Sequence, residues 1–71
     1  MVRRIRQERI RRGLTQEKVA CELGITQSML QKTEIGTRTP SYAVLVKLGD
    51  YFNQDFRKLM EFVPESDSET A

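Results

Sequence analysis

The chain has no histidine and no tryptophan, and a single cysteine, Cys21, among its 71 residues. Without histidine it lacks the side chain that most often serves as a general base near neutral pH or ligates a catalytic metal. One thiol cannot close an internal disulfide and has no partner for a redox pair or a thiolate metal site, so a reducing cytoplasm is the expected location. Glycine-rich phosphate loops and carboxylates at metal-binding spacing are missing too, which leaves hydrolytic, redox and metal chemistry without its usual parts. The expectation is a protein that is not an enzyme and uses no metal and no cofactor. No apolar run approaches the roughly 20 residues that span a bilayer, and the arginine-rich start lacks the apolar segment of a secretion signal. A soluble, unexported protein with no membrane partner is expected.

What the sequence does hold is charge, unevenly placed. The overall net charge is +2, but residues 1–60 carry all 12 lysines and arginines and only six of the ten acidic residues, a net of +6. Glu61, Glu65, Asp67 and Glu69 make the end of the chain acidic. Arg3, Arg4, Arg6, Arg9, Arg11 and Arg12 crowd into ten residues, a surface that attracts polyanions. A chain of this length forms one domain and buries only about 60% of its unfolded surface. We expect a folded unit over residues 1–63 and an acidic, disordered tail over 64–71.

No strand pattern is visible, and the apolar spacing predicts five helices. The first runs from about Val2 to Arg12, with Ile5 and Arg9 one turn apart on one face and Gly13 as its stop. Thr15 caps a second helix whose Val19 and Leu23 share a face with small Ala20 beside them, where another helix can come close. Gly24 allows the left-handed turn that follows. Thr26 caps a third helix that buries Ile25 and Leu30 and turns Gln27, Ser28, Gln31 and Lys32 outward. These two short helices joined by a glycine turn spell a helix-turn-helix. Gly36 to Pro40 read as a loop. Ser41 caps a fourth helix with a Leu45, Leu48 and Phe52 stripe, in which Gly49 marks close packing. Asp55 caps a short fifth helix carrying Phe56, Leu59, Met60, Phe62 and Val63, stopped by Pro64.

The spaced set Arg9, Gly13-Leu14-Thr15-Gln16, Val19-Ala20, Leu23-Gly24-Ile25, Gln27-Ser28, Glu34, Gly36 and Pro40 resembles the Cro and phage-repressor (XRE-like) helix-turn-helix family. The resemblance continues through Leu45, Leu48, Phe52 and Leu59, and so covers roughly residues 2–60. Glu8, Thr33 and Gln54 stand where apolar residues are common, and Ile35 replaces a polar or basic residue before Gly36. The family implies an all-α, five-helix, lambda-repressor-like domain that binds operator DNA and regulates transcription, usually as a repressor.

The same resemblance nominates Gln27 and Ser28, with Lys32 one turn on, to reach base edges. Their chemistry agrees: glutamine pairs bidentately with adenine N6 and N7, serine donates or accepts at several edges, and lysine donates to guanine O6 and N7. Gln16 resembles the family glutamine that contacts a phosphate and braces the first reading glutamine. Arg38, in the loop after the reading helix, is a second phosphate candidate. Arg9, placed inward beside Ile5, and Glu34 match two positions that the family often joins in a partly buried ion pair. Met60, Phe62 and Val63 offer more apolar surface than one short helix can tuck beneath itself, so a homodimer through them is expected, reading an inverted repeat of double-stranded DNA. The alternative from another class is an antitoxin-like module whose fifth helix or tail engages a protein partner, with DNA binding secondary. A basic helix lying on a membrane is disfavoured, because the first helix is needed for packing.

Overall fold

The computed structural model describes residues 1–64, so the sequence expected to form the acidic tail lies, apart from Pro64, outside the described residues. Five helices form the domain: α1 (Arg4–Arg11), α2 (Gln16–Leu23), α3 (Gln27–Ile35), α4 (Tyr42–Phe52) and α5 (Phe56–Leu59). Two short strands, β1 (Val2–Arg3) and β2 (Phe62–Val63), flank them. The strands pair antiparallel, Val2 opposite Val63 and Arg3 opposite Phe62, and so join the two ends of the folded unit.

Local chemistry accounts for the helix boundaries. Each expected cap is made: the side chains of Thr15, Thr26, Ser41 and Asp55 accept hydrogen bonds from the backbone N–H groups of Lys18, Met29, Val44 and Arg57. These bonds satisfy donors that a helix start otherwise leaves unpaired. The α2–α3 turn depends on Gly24, whose φ of 72° places it in the left-handed region. Behind it the Ile25 N–H reaches back to the Ala20 carbonyl at 3.0 Å and closes the helix end.

Ile5, Val19, Ala20, Leu23, Leu30, Leu48, Phe52 and Leu59 form the core, with Leu14, Ile25, Tyr51 and Met60 packed against it. Every helix supplies at least one member, so the small α5 closes a core built by the other four. The close packing expected at Gly49 has a geometric basis: a methyl group there would sit 2.9 Å from the Gln54 carbonyl oxygen. Glycine lets the chain double back from α4 into α5.

Two expectations need correction. Val2 and Arg3 do not begin the first helix but lie extended, and residues after Leu59 do not prolong the fifth. The Arg4 N–H instead donates to the Glu61 carbonyl at 2.7 Å, at the end of the strand pair. Pairing β1 with β2 buries Val2 and Val63 against one another's strand, which a continued α5 could not do. Two-residue strands carry too little alternation to be seen in sequence. Among the described residues no helix is long and apolar enough to cross a membrane.

Candidate nucleic-acid interface

Along α3 the burial pattern separates support from display. Leu30, Thr33 and Glu34 are buried, whereas Gln27, Ser28, Gln31 and Lys32 are exposed. Thr33 fits its apolar surroundings because its hydroxyl donates to the Met29 carbonyl at 2.9 Å, within its own helix. The three nominated reading residues thus share the solvent face of one helix, two of them in its first turn.

That helix is held from behind by a buried polar network. The Arg9 guanidinium meets the Glu34 carboxylate twice, Nε to Oε2 at 2.7 Å and Nη2 to Oε1 at 3.3 Å. Its remaining nitrogen, Nη1, donates to the Leu14 carbonyl at 2.9 Å. Gln16 donates from Nε2 to Glu34 Oε1 at 3.1 Å. Glu34 is fully buried and Arg9 nearly so. One carboxylate therefore ties α1 and the start of α2 to the last turn of α3. A fork-to-carboxylate geometry sets orientation as well as distance, which fixes how α3 is presented.

Gln16 and Gln27 both line an open groove, together with Arg6, Arg9, Leu14, Thr15 and Glu17. It lies where α2 and α3 begin, and helix starts favour anions through their free N–H groups and dipoles. The Gln16 amide spends one hydrogen on Glu34 and keeps a second hydrogen and its carbonyl oxygen for other partners. Arg38 lies beyond the far end of α3, exposed, in the loop before Pro40. The opposite, outer side of α2 carries Lys18, bonded to Glu22 at 3.0 Å. That hydrogen bond holds the ammonium above the usual lysine range, so it stays charged.

The structure does not keep Met60, Phe62 and Val63 together on one surface. Val63 is buried within its own protomer, Met60 is half-buried against the core, and Phe62 is half-exposed. The strand sends neighbouring side chains to opposite faces, whereas the expected helix would have gathered them.

Sequence reasoning missed a second network, although its members stood out. Glu8 and Gln54 occupy positions where apolar residues were expected, and they satisfy each other: Gln54 Nε2 donates to Glu8 Oε1 at 2.7 Å. Glu8 also pairs with Arg11 at 2.8 Å. Arg12 donates to the Phe52 carbonyl at 2.7 Å and lies 5.0 Å from the centre of the Phe52 ring. Two departures that look independent in sequence form one bridge from α1 to the α4–α5 turn.

Comparison with known proteins agrees with this architecture. No curated protein and no solved structure matches the chain. A family model described as helix-turn-helix matches residues 5–59, which takes in α1 through α5. The matched span holds the capped helix pair, the Arg9–Glu34 network behind it and the exposed face of α3, and the chain belongs to the Cro/C1-type family of DNA-binding helix-turn-helix domains.

Proposed function

We propose that the protein is a sequence-specific transcriptional repressor that inserts α3 into the major groove of an operator. Gln27, Ser28 and Lys32 read base edges, and Gln16 and Arg38 bind phosphates on either side of them. The observation that carries this reading is the buried junction of Arg9, Glu34 and Gln16. It immobilises the back of α3 while leaving Gln27, Ser28 and Lys32 in solvent. A helix held so firmly by polar contacts, with a polar face left free, suits recognition better than simple packing does. The excess of positive charge over residues 1–60 supports phosphate binding as the main source of affinity.

The working unit in this reading is a homodimer, which sets two α3 helices about 34 Å apart so that each meets one half-site on the same face of the duplex. Selection of bound sequences from a random duplex pool tests both parts. A recovered inverted repeat with half-sites about 10 base pairs apart is expected. Recovery of no preferred sequence would refute specific recognition, and recovery of a lone half-site would refute the dimer.

A further inference from the structure

Arg3 is only 9% exposed, yet its partners among the described residues include no carboxylate. Nη1 donates to the Arg38 carbonyl at 3.1 Å and to Met60 Sδ at 3.6 Å, and Nη2 donates to Thr39 Oγ1 at 3.3 Å. The guanidinium carbon lies 5.2 Å from the centre of the Phe62 ring, while Nε has no partner among the described residues. Burying a cation without a counter-ion is costly, and a methionine of similar length would fill the same space without that cost. Filling the space beside the strand pair therefore does not explain an arginine. Its hydrogen-bond acceptors do, because the carbonyl and the hydroxyl both belong to the loop that follows α3.

The same loop is gripped from its other sides. The Arg38 N–H reaches the Lys32 carbonyl at 3.3 Å, so the last turn of α3 holds one side of this residue's backbone and Arg3 the other. Phe62 presses on Gly36, where any β-carbon would collide with the ring. Gly36 has φ of 90°, a left-handed conformation that reserves the start of the loop for glycine. The Arg38 side chain is exposed and makes no ion pair among the described residues. Its backbone therefore fixes where the side chain starts, and so the region its guanidinium can reach.

We infer that Arg3 is a positioning residue for DNA binding: the strand pair uses it to lock the Arg38 backbone against α3, so that the Arg38 guanidinium meets the phosphate beside the bases that α3 reads. This rests on the phosphate role given to Arg38 above. The test compares wild type, Arg3→Met, Arg38→Ala and the double variant on the selected duplex, each over a range of salt. The slope of log affinity against log salt becomes shallower by about 0.9 for each phosphate that the protein no longer neutralises. Arg38→Ala is expected to show one such step, Arg3→Met the same step, and the double variant no more than either. Arg3→Lys should not restore the slope, because an ammonium lacks the planar fork that spans carbonyl and hydroxyl.

Thr39→Val provides a check that leaves the core untouched, and should give a slope between wild type and Arg38→Ala. Amide exchange should also quicken at Arg38 in Arg3→Met while the core helices keep their protection, which separates loop release from unfolding. An Arg3→Met protein with the wild-type slope, or losses that add in the double variant, overturns the inference alone. An unchanged slope in Arg38→Ala overturns the phosphate role of Arg38 and the inference with it.

Discussion

Gln27 and Arg38 stand at opposite ends of one helix and loop, and truncating them should produce different failures. Gln27 is exposed in the first turn of α3, where an amide can pair with adenine. Gln27→Ala should cost about 1–3 kcal/mol at one base pair and flatten the preference there, leaving other positions unchanged. Arg38→Ala should weaken every sequence alike, because a phosphate contact carries no base information. Titrations against the selected site and its single-base variants measure both, and a uniform loss for Gln27→Ala would remove it from the reading set. Behind α3, Arg9 and Glu34 should act as one unit in urea unfolding. Leaving either charge buried without its partner costs about 3–5 kcal/mol. Arg9→Met and Glu34→Gln should therefore be strongly non-additive, whereas independent residues add within about 0.3–0.5 kcal/mol. Additive losses would mean the bidentate contact at 2.7 and 3.3 Å contributes no coupling.

At the scale of elements, Gly49 gives the sharpest test, since propensity and packing predict opposite signs. Alanine is about 1 kcal/mol better than glycine inside a helix. Its methyl group at position 49 would lie 2.9 Å from the Gln54 carbonyl oxygen, a backbone atom that cannot swing away. Gly49→Ala should lower the thermal midpoint, and a rise would show that the α4–α5 turn is free to yield. The helices themselves are legible in sequence because their signals are local: a capping side chain and its N–H lie two or three residues apart, as Thr15 and Lys18 or Asp55 and Arg57 do. The turn glycines are equally local. Contacts between distant residues are legible only where a family pattern supplies them, as for Arg9 and Glu34, 25 positions apart. Glu8 and Gln54 look like two misplaced polar residues because a separation of 46 positions hides their hydrogen bond. The strands escape notice for the same reason, with Val2 pairing to Val63 through two-residue segments too short for any period. Arg3 merges into a run of arginines, and nothing in its neighbours marks it, like Arg9, as buried.

For the whole molecule, the pairing of β1 with β2 changes which surface a second copy can use. The apolar excess after Leu59 suggests a dimer through Met60, Phe62 and Val63, but the fold buries Val63 and half-buries Met60 within the protomer. Phe62 keeps exposed area, yet its ring already faces the Arg3 guanidinium and rests on Gly36. The larger uncovered apolar surface is on α4, where Tyr42 is 71% and Val46 38% exposed, one turn apart. Phe56 extends it from α5, with its ring 5.9 Å from that of Tyr42 in an edge-to-face contact. If this stripe is the contact of the proposed dimer, a two-fold axis would bury the same residues on both protomers. Val46→Asp would then place a carboxylate, with its two-fold mate, in the middle of the interface, where like charges oppose association. Because Val46 is exposed in the protomer, the substitution should leave the helical signal and urea midpoint of the isolated chain nearly unchanged. Sedimentation at tens of micromolar should show a dimer for wild type and a monomer for Val46→Asp, with footprinting reduced to one half-site. Phe62→Asp should instead leave the dimer intact and loosen the loop that carries Arg38. A dimer that survives Val46→Asp but dissociates in Phe62→Asp would move the interface back to the strand pair.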